Sequence, residues 1–102
     1  MDTLAALSSG ALPAGIAVIR LSGPDAFSVS ELITDLGDYT RWVEDRRARL
    51  ANICDPLTEE KLDRGLVLAF KAPHRFTGED VVELHLHGSR AIVGQLLISL
   101  SK

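Results

Sequence analysis

Arg20 lies inside an apolar run, Ile16-Ala17-Val18-Ile19-Arg20-Leu21, two positions after Val18 and four after Ile16. In an extended strand these three side chains share a face, because successive residues point to opposite sides. A guanidinium keeps its charge at any ordinary pH. An arginine there either meets an anionic or carbonyl partner, or packs its stem and sends its head to water. The first alternative makes Arg20 an anchor for a ligand oxygen. The second makes it a plain strand-end residue, and composition leaves both open.

The second candidate is Glu83-Leu84-His85-Leu86-His87, where every polar residue falls on one face of an alternating strand. A carboxylate on such a face can accept two parallel hydrogen bonds from a paired N–H edge, like that of a pterin or a guanine. The plainer alternative is the solvated face of an antiparallel sheet. A third alternative is a metal site, since neutral imidazoles and a carboxylate suit zinc. These side chains step about 7 Å apart along the strand, and three ligands on one straight strand converge poorly. His74 and Cys54 are the remote residues that can add a ligand.

Phe76-Thr77-Gly78-Glu79-Asp80 leads into that strand and reads as a tight turn. Gly78 permits positive φ, and Thr77 and Asp80 can bind nearby backbone N–H groups. The phosphate-cradling Gly-x-x-x-x-Gly-Lys-[Ser/Thr] loop does not occur in the chain, nor do Gly-x-Gly-x-x-Gly, Cys-x-x-Cys or Gly-x-Ser-x-Gly. The chain reads as a binding module more readily than as a catalyst.

The elements that must position these residues follow from the hydrophobic pattern. Thr3–Ser8 predicts a short strand and Ile16–Leu21 a buried one. Pro24 at a first helical position, Asp25 at the positive end of the helix dipole and Gly37 as a stop predict a helix between them. Its apolar stripe is Val29, Leu32, Ile33 and Leu36. A polar connector, 38–45, carries Trp42 and Val43, which are expected to fold back on the core. Strands are expected at Ala48–Cys54, Leu66–Phe70 and Val81–His87, with a charged turn at Leu57–Leu62 and a stop at Ala72-Pro73. Gly88 breaks the last strand and Ser89 caps a helix whose inner face is Ile92, Val93, Leu96, Leu97 and Leu100. The expected fold is α+β: a mixed sheet of about five strands with two helices, in the order β-β-α-β-β-β-α.

One domain fits 102 residues. Apolar residues make up 46 % and charged residues 25 %, a globular balance. The net charge of −3 has the wrong sign for gripping nucleic-acid phosphates, so any service to RNA is expected through other parts of an assembly. A single cysteine, Cys54, gives no internal disulfide. No apolar run approaches the ~18 residues of a membrane span, and the start lacks leader features. These point to the cytoplasm. The last helix runs to Lys102 without a stop signal, which reads as a chain that continues.

Two stretches resemble a known family. Gly15-Ile16-Ala17-Val18-Ile19-Arg20-Leu21-Ser22-Gly23-Pro24 is similar to the strand–turn–helix opening of the tRNA-modification GTPases MnmE (TrmE). Phe76-Thr77-Gly78-Glu79-Asp80-Val81-Val82-Glu83-Leu84-His85-Leu86-His87-Gly88 resembles that family's most distinctive N-terminal motif. Asp2-Thr3-Leu4-Ala5-Ala6, Asp63-Arg64-Gly65-Leu66-Val67-Leu68 and Ala72-Pro73 match in order between and before them.

The resemblance implies one N-terminal domain spanning 1–102, similar to the tetrahydrofolate-binding domains of aminomethyltransferases and cut short at its C-terminal end. It implies homodimerisation and a folate site near the dimer interface, with Arg20 and Glu83 on the folate-binding positions. The implied ligand is 5-formyl- or 5,10-methylene-tetrahydrofolate, as a one-carbon donor. It also implies a parent protein that works with the flavoprotein MnmG on carbon 5 of a tRNA wobble uridine. GTP, Mg and K belong to a GTPase domain beyond this chain, and tRNA is met only through the full assembly. The chain departs from the family at the loop 10–15, at His74-Arg75 and at Ser89-Arg90, and the resemblance implies a third, basic folate contact past Lys102. Two other readings remain: a structural dimerisation piece without ligand, and a small metal-binding protein using Glu83, His85 and His87.

Overall fold

The computed structural model describes residues 3–7, 14–37, 48–70 and 80–101. The loop at 8–13, Trp42 and Val43, Ala72-Pro73, His74 and the turn Phe76–Glu79 lie outside them. The described chain runs β1 (Leu4–Leu7), β2 (Ala14–Ser22), α1 (Ala26–Ile33), β3 (Arg49–Cys54), β4 (Lys61–Phe70), β5 (Val81–Gly88) and α2 (Arg90–Leu100). This is the predicted α+β order, with five strands and two helices.

The strands form one sheet in the order β1-β2-β5-β4-β3. Every pairing is antiparallel, where the sequence pattern predicts a mixed sheet. Parallel neighbours need a crossover that returns to an adjacent strand. Here the connection through α1 leads from β2 to the far edge, and β3, β4 and β5 then pair consecutively.

Alternation in the strands creates two faces. Ala17, Ile19 and Leu21 of β2, Val82, Leu84 and Leu86 of β5, Val67 and Ala69 of β4, and Ala51 and Ile53 of β3 are buried. They join Ala26 and Ile33 of α1 and Val93 and Leu96 of α2 in a single core. Burying each large aliphatic side chain contributes about 1.5–3 kcal/mol before entropy is counted. Both helices therefore lie on one face, and among the described residues no helix covers the other. No described helix is long and apolar enough to cross a membrane.

Three boundaries differ from expectation. Helix α1 stops at Ile33 rather than before Gly37, because Thr34 turns extended and bridges to Ile53 of β3. Asp35 then accepts the Asn52 amide at 3.0 Å, so local pairing with the edge strand overrides helix continuation. Pro24 and Asp25 precede the helix, and Thr3 Oγ1 accepts the Asp25 N–H at 2.7 Å. Leu32 falls off the buried stripe of Ala26, Ser30 and Ile33 and is 71 % exposed. Strand β4 begins at Lys61 rather than Leu66, since Lys61, Asp63 and Arg64 pair with Cys54, Ile53 and Asn52. Charged residues can extend an edge hairpin whose outer face is wet.

The hairpin between β3 and β4 is fastened to α2 by Asp55, which is buried. Its Oδ1 accepts the amides of Leu57 (2.8 Å) and Thr58 (3.3 Å), and its Oδ2 accepts Ser99 Oγ (2.7 Å) and Gln95 Nε2 (3.0 Å). Helix α2 begins as predicted: Ser89 caps it, accepting the Ile92 amide at 3.4 Å.

Candidate functional site

The uncovered face of the sheet holds Arg20, Glu83, His85 and His87. Register places Arg20 directly opposite Glu83, Val18 opposite His85 and Ile16 opposite His87. On the other side of β5, Leu68 lies opposite Glu83 and Leu66 opposite His85, with Leu50 of β3 beyond Leu66. The result is a row of charged and imidazole groups between aliphatic neighbours. Ile16, Leu50 and Leu66 are 63 %, 53 % and 42 % exposed, unusual values for large aliphatic side chains.

Arg20 and Glu83 meet as cross-strand partners. Arg20 Nη2 donates to Glu83 Oε2 at 2.6 Å, with the guanidinium half exposed and the carboxylate largely covered. The other neighbour of Arg20, across β1, is Ala6, whose methyl leaves the guanidinium open above the sheet. A guanidinium has five donors and a carboxylate about four acceptor sites, so the mutual bond leaves capacity on both for a ligand. Burial works to raise the Glu83 carboxyl, but the bonded Arg20 guanidinium and then the nearby His85 ring hold it below the usual range. It is therefore anionic at neutral pH.

His85 Nε2 approaches Glu83 Oε1 at 3.5 Å, too far for a good hydrogen bond. That nitrogen is buried and makes no hydrogen bond in the described structure. Buried polar atoms are nearly always partnered, which makes this nitrogen an exception within the row of charged groups.

The metal arrangement does not form. His87 turns to Asp63 on β4, with Nδ1 at 2.8 Å from Oδ1, while His85 leans toward Glu83. Among the described residues no three His, Cys, Asp or Glu side chains gather around one point. The two imidazoles face different carboxylates, and only His87 is hydrogen-bonded to its own.

Sequence reasoning missed Asp63 and Gly65. A Cβ built on Gly65 would overlap the His85 carbonyl oxygen, so β4 runs against β5 here at a distance only glycine permits. The described ladder between them ends at Leu66↔His85. The Asp63 carboxylate then takes the place of a backbone partner and accepts the His87 amide at 2.9 Å. A glycine inside a strand pattern signals such close approach; the pairing of Asp63 with His87, 24 residues away, has no sequence signal.

Comparison with known proteins follows from this geometry. A family profile described as "GTP-binding protein TrmE N-terminus" matches residues 3–102. The chain is 47 % identical over 102 residues to the tRNA modification GTPase MnmE of Parvibaculum lavamentivorans, covering 100 % of this chain and 22 % of that protein. It is 51 % identical over 100 residues to the protein of the same name from Chelativorans sp., covering 98 % and 21 %. A mitochondrial tRNA modification GTPase, gtpbp3, of Dictyostelium discoideum is 43 % identical over 94 residues, covering 90 % and 18 %. The chain thus spans about a fifth of the length of these relatives.

Proposed function

Because the chain belongs to the family of the TrmE N-terminus, we propose that it is the reduced-folate-binding and dimer-forming module of a GTPase that modifies tRNA. The observation that carries this reading is the Arg20–Glu83 pair on the open face, beside the orphaned Nε2 of His85. Glu83 offers a flat heterocycle acceptors for a paired N–H edge, and Arg20 offers donors for a carbonyl or carboxylate oxygen. The ligand class is a 5-formyl- or 5,10-methylene-tetrahydrofolate, which supplies a one-carbon unit at an oxidation level suited to modifying a base.

The parent assembly, on this reading, works in the cytoplasm on carbon 5 of a wobble uridine, together with the flavoprotein MnmG. GTP, Mg and K act in a separate domain. A second copy of the chain completes the module; apolar surface for that contact is offered by Ile16, Leu50 and Leu66 on the open face and by Leu32, Leu57 and Ile98 elsewhere. A ligand-free structural dimer is the second reading. It is favoured by the fact that Arg20 and Glu83 already bond to each other.

Thermal unfolding with and without 5-formyltetrahydrofolate separates the two. At a hundredfold excess over the dissociation constant, binding adds about 2.7 kcal/mol, which is roughly ten degrees or more in melting temperature for a domain of this size. Arg20→Ala abolishes the shift. A dimer by light scattering whose melt ignores folate would leave the structural reading in place.

A further inference from the structure

The tip of the β3–β4 hairpin is tied to the rest of the domain by side chains rather than by the sheet ladder. Its two arms pair with each other from Ala51↔Gly65 to Cys54↔Lys61. The turn beyond them is closed from within. The Asp55 amide donates to the Glu60 carbonyl and the Glu59 amide to the Asp55 carbonyl, both at 2.8 Å. The described ladder from β4 to β5 ends at Leu66↔His85, so it stops where the tip begins. Gly65 marks that point, because a Cβ there would overlap the His85 carbonyl oxygen.

Three aspartates fasten the tip, one toward each neighbouring element. Beside the exit of α1, Asp35 accepts the Asn52 amide at 3.0 Å and its Nδ2 at 2.8 Å, next to the bridge Thr34↔Ile53. Toward α2, Asp55 accepts Ser99 Oγ at 2.7 Å and Gln95 Nε2 at 3.0 Å, and Gln95 Nε2 also reaches Glu60 Oε1 at 3.2 Å. Toward β5, Asp63 accepts the His87 amide at 2.9 Å and lies 2.8 Å from the ring Nδ1. Burial works to raise the Asp63 carboxyl, but the His87 amide and ring and the Arg64 amide hold it below the usual range. An ionised carboxylate only accepts, so Nδ1 is the donor.

The apolar attachment of the tip is small by comparison. Ala51 and Ile53 join the core and Leu62 packs at its margin, whereas β2 and β5 supply Ala17, Ile19, Leu21, Val82, Leu84 and Leu86. A segment with few buried apolar contacts opens at a lower free energy than the domain as a whole.

We propose that residues 51–65 form a latch, which lifts off the domain as one unit with its own pairing intact and closes on Asp35, Asp55 and Asp63. Opening draws Ile53 out of the core and releases Ser99 and Gln95 of α2. It also uncovers Leu86, whose Cδ2 stands 3.0 Å from where a Gly65 Cβ would be. The latch joins the exit of α1, the helix α2 and the end of β5 in one two-state contact. A displacement at any of the three elements is therefore transmitted to the other two. The latch is independent of the folate reading, which uses Arg20 and Glu83.

The test is native-state hydrogen exchange of the whole chain, followed amide by amide by NMR at sub-denaturing guanidinium. The protected amides of 51–65 are expected to share one opening free energy, lower than that of Ala17–Leu21 and Val82–Leu86. Asp35→Ala, Asp55→Asn and Asp63→Asn are each expected to speed exchange roughly tenfold across the whole tip, the scale of one lost hydrogen bond. Asp35 is exposed, so its variant keeps a folded protein in the series. Ile19→Val lies in the part that stays folded, opposite Leu84. It is expected to speed the β2 and β5 amides and leave the tip unchanged. Tip amides that exchange together with β2 and β5, or that quicken in Ile19→Val, overturn the latch by making the domain a single unit. Aspartate variants that have no effect, or that affect only the amides they touch, overturn it as well.

Discussion

Two carboxylates on opposite sides of this sheet are held in different ways. Asp55, on the helix-covered side, accepts two backbone amides, a hydroxyl and a side-chain amide, and every donor aimed at it comes from the fold itself. Glu83, on the open side, has one strong internal bond and a histidine neighbour whose nitrogen finds no partner. A closed set of partners makes a structural joint, because nothing is gained by adding a ligand. A set left open makes a site, and the contrast separates the two roles more sharply than burial alone.

The largest test of that contrast uses aliphatic residues. Leu84 is fully buried under the helices, while Leu66 on the open face is 42 % exposed. Leu84→Ala is expected to cost about 3 kcal/mol in denaturant unfolding. Leu66→Ala is expected to change stability by under about 1 kcal/mol. Comparable losses would mean that the open face is covered in the isolated chain, and the division of the molecule into joint and site would fail.

Asp55→Asn comes next. The Ser99 hydroxyl and Gln95, aided by the Leu57 and Thr58 amides, lower the Asp55 carboxyl to about 2 against the opposing effect of burial. A carboxyl depressed in the folded state contributes stability that is present above its unfolded pKa, near 3.8, and is lost as the pH falls through about 2. The melting temperature of the parent chain is therefore expected to fall between about pH 5 and pH 2. The variant, already destabilised at neutral pH because one of the two carboxylate oxygens that accept from the fold becomes a donor, is expected to show a flatter acid limb. An unchanged slope would remove Asp55 from the role of joint.

The smallest effect belongs to Glu83→Gln. Its ion pair with Arg20 is half exposed on the arginine side, and such pairs contribute about 0–1 kcal/mol. Stability is expected to move within that range while the folate-induced shift disappears. A larger loss of stability, with the folate response retained, would make Glu83 a joint like Asp55.

Much of this was legible in the residues. The alternation Val82-Glu83-Leu84-His85-Leu86-His87 established both faces of β5, and Ile16-x-Val18-x-Arg20 put the arginine on the open one. Ser89 and the Val93, Leu96, Leu97 spacing announced α2. The partners were not legible, because pairing across a sheet brings together residues with no local relation: Arg20 with Glu83, Asp63 with His87, Asp55 with Ser99. Helix α1 was read too long for the same reason, since its end is set by a bridge to β3 rather than by Gly37. Lys61 and Leu62 read as the end of a turn because their polar setting hides a pairing with the edge strand.

By itself, then, the amino-acid order determined which side chains alternate, which face each occupies within its own strand, and where α2 is capped. These depend on the 2.0 and 3.6 residue periods of the backbone, which act over a few positions. The tertiary structure alone decided that β2 lies beside β5, that every neighbour is antiparallel, and that one face stays uncovered. Those outcomes depend on register and on the approach at Gly65, where energies are summed over contacts between distant segments.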